Sequence, residues 1–424
     1  MAGFFTRKQT ESISRPTGKT FSCSSCGLYK GVASPKMKPF GNFKKGVMNI
    51  GEFPSTLDDE RGQQWQGKEG RILKRAYEKL GIDLFEDCIN LNAVNCSPNE
   101  KPTGHQIDCC RSIVVLKAIQ QYKPKVIVLF GNAAIHSIIG NRWKKDLGGN
   151  DKSKRGIIDK WRGFTIPDQD LKAWVCPVFS PSTILNEQRD EVETVWKLDL
   201  QEVINCIETP FPVWKEPVIE TITDLRDIEY TEIYTESHGN TKFHILPKMA
   251  AFDYETTGLK PHAEGHKIIC CSIADSADHV YVFMMPETRK ELKPFLDFLG
   301  NEKILKLAQN MKYEHVWSKV KLKTEVKGWY HDTMQAAHIL DNRTGVTGLK
   351  FQNYVNFGIV DYDSEVAPYL RPKVSTSAND INQIEELLKQ PGGKEKLLKY
   401  CGMDSIVEFR LALKQMELIS PLPF

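Results

Sequence analysis

No stretch of this chain is apolar for long enough to cross a bilayer as a helix, so a helical membrane span is not expected. The opening Met1-Ala2-Gly3-Phe4-Phe5 is too short to act as a secretory leader, so export is not expected. No internal repeat is present, so the chain is not an array of one unit. Neither sign of charge dominates: 57 Lys and Arg face 54 Asp and Glu, a net of +3. A polyanionic partner therefore cannot be read from total charge. What is present is ordinary for folded protein, with 41% hydrophobic and 26% charged residues over 424 positions. That length suits two or three domains, each with its own core. Without a leader, the eleven cysteines point to a reducing cytoplasm and to thiol or metal chemistry rather than disulfides.

The most informative segment is Ala250-Ala251-Phe252-Asp253-Tyr254-Glu255-Thr256-Thr257-Gly258. Apolar residues lead into Asp253 and Gly258 breaks the pattern, as in a strand running into a turn. Side chains at i and i+2 share a strand face, so Asp253 and Glu255 point the same way. Like charges held that close call for a cation, and hard carboxylate oxygens suit Mg²⁺ or Mn²⁺. Asn310-Met311-Lys312-Tyr313-Glu314 opens a helical segment with a third carboxylate. Tyr400 and Asp404 lie four apart in Leu397-Leu398-Lys399-Tyr400-Cys401-Gly402-Met403-Asp404, neighbours on one helix face.

This set resembles the proofreading 3′-5′ exonuclease domain of family A DNA polymerases, over roughly residues 212 to 415. His331-Asp332-Thr333-Met334 and Gly348-Leu349-Lys350 sit where that family has an Asp-Thr motif and a Gly-Leu-Lys turn. The resemblance implies two-metal hydrolysis of phosphodiesters, with ions roughly 4 Å apart. Asp253 would bridge both ions, Glu255 and Asp404 would complete one, Glu314 would serve the other, and Tyr400 would orient the attacking water. Glu314 departs from the family's Asp by one methylene, about 1.5 Å of reach. The second ion is then expected to be the weaker one. In the family a polymerase follows this helix, and here the sequence stops at Phe424. The expectation is the front part of a phage-type polymerase as its own polypeptide, in the host cytoplasm, acting on single-stranded 3′ ends of DNA beside a separate polymerase subunit.

The N-terminal half carries a different signature. Cys23-Ser24-Ser25-Cys26 is a chelate-type pair, and Cys96 and Cys110 supply two further thiols. Four thiolates suit a [4Fe–4S] cluster. Zinc is the alternative, held by Cys23, Cys26, Cys110 and either Cys96 or His105. Cys88, Cys176, Cys206, Cys270 and Cys271 are expected to be buried as small apolar groups. With these motifs, residues 15 to 205 resemble the iron–sulfur uracil-DNA glycosylases. Gly51-Glu52-Phe53-Pro54 stands where that family has its Gly-Glu-Ala-Pro-Gly loop, and Pro124 to Gly131 matches a strand ending in Gly. Cys110, rather than Cys109, aligns as the fourth ligand.

The same resemblance implies a base pocket in which Glu52 lines the wall, Trp65 stacks on the base and Asn92 reads its edge. Two departures bear on activity. Ser180, in Phe179-Ser180-Pro181-Ser182, stands where the family has the His that stabilises departing uracil. A neutral hydroxyl cannot do this, and losing such a contact costs about 3–4 kcal/mol of barrier. Ser55 replaces the last Gly of the first loop and is expected to crowd the sugar. The half is therefore read as a DNA-binding domain with weak or no glycosylase activity.

Between Asn141 and Gly163, Lys144, Lys145, Lys154, Arg155, Lys160 and Arg162 are interleaved with Trp143 and Trp161. Such a stretch suits a phosphate backbone with aromatics for stacking, and equally a solvated loop. Pro210, Pro212 and Pro217 mark a linker over 208–217. The expected architecture is two α/β domains: a glycosylase-like three-layer domain over 1–207, then a ribonuclease-H-like exonuclease domain over 218–424. The leading function is a metal-dependent 3′-5′ DNA exonuclease in replication proofreading or repair. The alternatives are an active uracil-DNA glycosylase with an accessory nuclease, and a non-catalytic module that tethers a polymerase to DNA.

Overall fold

The computed structural model describes residues 21–140, 142–143, 156–228, 234–235, 244–245, 248–360, 362–374 and 376–419. Two compact units emerge: Met1–Trp214 with Tyr354–Ile359, and Lys215–Asn353 with Val360–Phe424. Both are α/β, as the alternation of β-branched runs and helical spacing predicts.

The first unit is built on β1 (Val47–Gly51), β2 (Cys88–Asn92), β3 (Val126–Phe130), β4 (Ile166–Asp168) and β5 (Ala173–Val178), in the order β2-β1-β3-β5-β4. All neighbours are parallel except the β4–β5 edge. Every residue of β1, β2 and β3 is buried, as expected for parallel strands covered on both faces. On one face Val47, Cys88, Val126, Val128 and Phe130 meet Leu73 and Tyr77 of the Lys68–Lys79 helix and Trp196, Leu200 and Val203 of the Asp190–Glu208 helix.

The second unit holds β6 (Val218–Thr221), the short pair β7 (Tyr234–Thr235) and β8 (His244–Ile245), and then β9 (Met249–Thr256), β10 (Ile268–Ala274), β11 (His279–Met284), β12 (Leu305–Ala308) and β13 (Trp329–Asp332). Its main sheet runs β13-β12-β9-β10-β11-β6, with β9, β10 and β11 as an antiparallel meander and β12 parallel to β9. An aromatic core of Phe252, Tyr254, Phe283, Phe295, Phe298 and Trp317 lies between the sheet and the helices Arg289–Gly300 and Lys312–Trp317. The Gly393–Ile419 helix also packs on β9, β10 and β11. Gly402 permits that approach, because a Cβ there would lie 2.8 Å from Val282 Cγ1. Among the described residues no helix is long and apolar enough to cross a membrane.

Candidate functional site

In the second unit, Asp253 and Glu255 lie on β9, Glu314 on the Lys312–Trp317 helix, and Tyr400 and Asp404 on the Gly393–Ile419 helix. Ligand atoms of Asp253 and Glu255 come within 4.8 Å of each other and of Cys401 Sγ. Glu255, Glu314 and Asp404 are buried, at 7%, 2% and 7% exposure. Burial pushes the Asp253, Glu255 and Glu314 carboxyls well up; Asp404 adds to this at Asp253, and Asp253 adds to it at the two glutamates. Burial, then the Asp404 charge, keeps Tyr400 a neutral phenol.

The supporting motifs acquire physical roles. Asp332 caps the Thr333–Leu340 helix and accepts the backbone N–H groups of Asn310 (3.0 Å) and Met311 (3.1 Å). That pair of bonds sets where the Glu314 helix begins. Tyr313 meets Thr256 Oγ1 at 2.6 Å and donates to the Gly258 carbonyl at 3.1 Å, holding the end of the strand that carries the acids. Lys350, from the Gly-Leu-Lys turn, pairs with Asp404, and Tyr362 donates to the same carboxylate. The Lys350 ammonium also lies 3.9 Å from the Tyr362 ring centre and 4.3 Å from that of Tyr400. Sequence reasoning assigned neither Lys350 nor Tyr362 to the site. Lys350 had a signal, since it sits in a recognised motif, whereas Tyr362 had none. Glu408, one turn beyond Asp404, was also missed.

In the first unit the predicted pocket residues gather at the C-terminal ends of parallel strands, where ligands bind in open α/β sheets. Glu52 follows β1, Asn92 ends β2, Gly131 follows β3 and Ser180 lies just beyond β5. Glu52 Oε1 accepts the Ala133 N–H at 3.1 Å; burial raises its carboxyl while that N–H opposes the rise. Gly131, at φ +83°, leaves room for it, because a Cβ there would come 2.6 Å from Glu52 Cδ. Asn95 ties down the backbone of Asn92 in both directions, at 3.0 and 2.6 Å. Trp65 sits in the left-handed region, at φ +63°. Its Nε1 donates to Asn90 Oδ1 at 3.1 Å, and its ring meets Phe130 edge-on.

Ser180 precedes the Pro181–Glu187 helix, with its hydroxyl 2.9 Å from that of Ser182. Ser55 is the N-cap of the Thr56–Arg61 helix and accepts the Asp58 N–H at 3.2 Å, so its hydroxyl has a local structural task.

Cys23, Cys26, Cys96 and Cys110 line one hollow of about 320 Å³, its mouth included, together with Cys109, Tyr29 and Lys36. Cys96 Sγ accepts the Lys36 N–H and Cys110 Sγ accepts the Asn95 N–H, each at 3.3 Å. Cys109 instead lies 3.5 Å from Ser25 Oγ and 3.6 Å from His105 Nε2. Cys88, Cys176, Cys206, Cys270 and Cys271 are buried, as expected.

The basic stretch looks different in three dimensions. Lys144, Lys145, Lys154 and Arg155 lie outside the described residues. Arg162 pairs with Asp199 at 3.4 Å and lies over the Phe179 ring, and Lys160 sits 5.8 Å from the Trp161 ring centre. Trp161 is 1% exposed, and Trp143 packs against both Trp161 and Tyr354. The two tryptophans are therefore engaged in packing rather than displayed for bases.

The family comparisons divide the chain as the two sites do. The model of the Uracil DNA glycosylase superfamily matches residues 38–200, and that of a 3′-5′ exonuclease family matches residues 227–419. A type-4 uracil-DNA glycosylase of Pyrobaculum aerophilum is 30% identical over 167 residues, 39% of this chain and 80% of that protein. One from Saccharolobus solfataricus is 32% identical over 168 residues, 38% of this chain and 72% of that protein. Among solved structures, Brucella melitensis NrnC bound to pGG is 14% identical, covering 49% of this chain and 83% of that one. Its TM-score of 0.34 gives that likeness no weight. The chain belongs to the uracil-DNA glycosylase superfamily through its N-terminal part, and its C-terminal part matches the model of a 3′-5′ exonuclease family.

Proposed function

We propose that the chain is a divalent-metal-dependent 3′-5′ DNA exonuclease serving replication proofreading or repair, with a glycosylase-type unit that binds DNA. The observation that carries this reading is Asp253 and Glu255 with ligand atoms within 4.8 Å of each other, beside the buried carboxylates of Asp404, whose charge acts on Asp253, and Glu314, on which the charge of Asp253 acts. All-oxygen donors fit Mg²⁺ or Mn²⁺. Two such ions, when bound, would activate a water and take up charge from the leaving oxygen. Asp253 and Glu255 present their oxygens side by side from one strand face. Lys350 and Tyr362 hold Asp404 through its Oδ1. Tyr400, kept as a phenol, can hold the attacking water by a hydrogen bond. Purified protein should shorten labelled single-stranded DNA from the 3′ end in Mg²⁺ or Mn²⁺ and not in EDTA. Shortening that persists in EDTA would sink the reading.

A four-iron cluster is the group the thiols fit better. Four sulfurs around one zinc, at a Zn–S distance of about 2.3 Å, lie roughly 3.8 Å apart. Among the described residues no three of these cysteines bring their sulfurs within 4.8 Å of one another. In a four-iron cluster each thiolate holds a different iron, which asks for a wider spread. Burial pushes the Cys96 and Cys110 thiols up, and the backbone N–H bonds to their sulfurs oppose that rise. For uracil, the glycosylase-type pocket would admit and read the base through Asn92. With Ser180 in place of an imidazole it should release little of it.

A further inference from the structure

We infer that Glu408 is a fifth carboxylate of the divalent-cation site, sharing with Glu314 the ion on that side of Asp253. The inference rests on the two-metal reading above and goes beyond its four carboxylates. Glu408 continues the series Tyr400, Asp404, Glu408, each one turn after the last along the flank of the Gly393–Ile419 helix. It is 1% exposed, a depth at which glutamate is almost never found unpaired. Its Oε2 nevertheless has no hydrogen-bond partner, and neither has Glu314 Oε2. Among the described residues these are the two carboxylate oxygens buried in that condition.

The charges acting on Glu408 are those of Asp253, Glu314 and Asp404, all acidic and all belonging to the site. Lys350, the site's lysine, is engaged at Asp404 instead. A backbone N–H, that of Gln309, faces the Glu408 carboxylate and supports its charged form. Among the described residues Glu314, Glu408 and Asp253 do not bring three ligand atoms within 4.8 Å of one another, so an ion would have to draw these side chains together; the open oxygens of the two glutamates otherwise share a proton. Such an ion also accounts for the glutamate at position 314. Its extra methylene carries its oxygens farther from the helix, and Glu408 adds another oxygen donor where a hard ion wants about six.

The test is a calorimetric titration of the full chain with Mn²⁺ alone, comparing wild type with Glu408→Gln and Glu408→Asp, and with melts in EDTA as a check on folding. Ions that Asp253→Ala still binds lie elsewhere and are subtracted. Wild type should bind two Mn²⁺ at the acidic site. Glu408→Gln should weaken one of them at least tenfold and leave the other unchanged, with a metal-free Tm no lower than wild type. Should the Gln variant fail to fold, Glu408→Asp, which keeps the charge and shortens the reach, should still weaken the same ion. Two ions bound with wild-type affinity by either folded variant would overturn the role of Glu408 alone, leaving a shared proton as the explanation. A wild type that binds no Mn²⁺ at these acids would overturn the parent reading as well.

Discussion

Glu52 in the first unit and Glu314 in the second are both glutamates withdrawn from water beside strand ends, yet they are held differently. Glu52 has the Ala133 N–H on one oxygen and a glycine-made recess for its chain. Glu314 keeps Oε2 without a hydrogen-bond partner and faces the charge of Asp253. Glu52 is thus supported in part by backbone. In the second unit the acids crowd one another, and under the proposed reading a cation pairs them. Substitutions should therefore separate function from stability in the second unit and couple them in the first.

The largest contrast is expected at Asp253. Asp253→Ala should lower 3′-end shortening by roughly 10³-fold or more, the worth of ~4 kcal/mol of barrier in lost ion positioning. Metal-free Tm should stay level or rise, because like-charge repulsion has been relieved. Gel assays in Mn²⁺ beside melts in EDTA read both effects. Retained activity would remove the carboxylate site from the chemistry.

The corresponding change in the first unit is Cys110→Ser. Cys110 accepts the Asn95 N–H, and Asn95 braces the backbone of Asn92, so thiol site and base pocket are one connected piece. Anaerobically purified wild type should be brown, with about four irons per chain. The variant should lose most of that iron and lower the stability of the first unit, because metal binding is coupled to folding. Nuclease activity should survive. Colourless wild type with stoichiometric zinc would transfer the site to the rival metal.

How much of this was readable beforehand follows from which contacts are local. Period two places Asp253 and Glu255 on one face, and an i, i+4 spacing does the same for Tyr400 and Asp404; both pairs lie on the expected elements. Lys350 and Tyr362 reach Asp404 only through the tertiary fold. Glu408 had the right spacing, but an acid on a helix reads as solvated until its depth is known. Depth also decides Trp143 and Trp161, whose basic neighbours suggest a stacking surface while the rings pack inward.

A smaller effect is expected at Ser180. The loop backbone there is anchored by Trp196 Nε1, which donates to the Phe179 carbonyl at 3.1 Å, so an imidazole can be placed without moving the chain. Wild type should release little uracil from single-stranded DNA. Ser180→His should raise release roughly tenfold, less than the ~3–4 kcal/mol such a contact can supply, because Ser55 still stands in place of the last Gly of the first loop. Robust abasic-site formation by wild type, kept in Asp253→Ala, would make the first unit the principal enzyme.

The smallest expected effect, a few degrees of Tm, follows from the raised carboxyls. Burial and mutual repulsion lift Asp253 above its ordinary 3.8 and Glu255, Glu314 and Glu408 above 4.5. The folded, metal-free unit therefore keeps protons that the unfolded chain has released. Wherever the folded state binds more protons, stability falls as pH rises. The contribution of these acids is full below their ordinary values and is lost as pH climbs through the raised ones. A bound cation removes the reason to hold those protons, so Mg²⁺ should flatten the fall. Melts from about pH 5 to about pH 8, in EDTA and in Mg²⁺, should show the Tm difference between the two widening with pH. Asp253→Asn should narrow it. A difference that stays constant across the range would mean that hydrogen bonds within the fold already support the charge of these acids, as the Ala133 N–H does in part at Glu52, and the contrast between the two units would disappear.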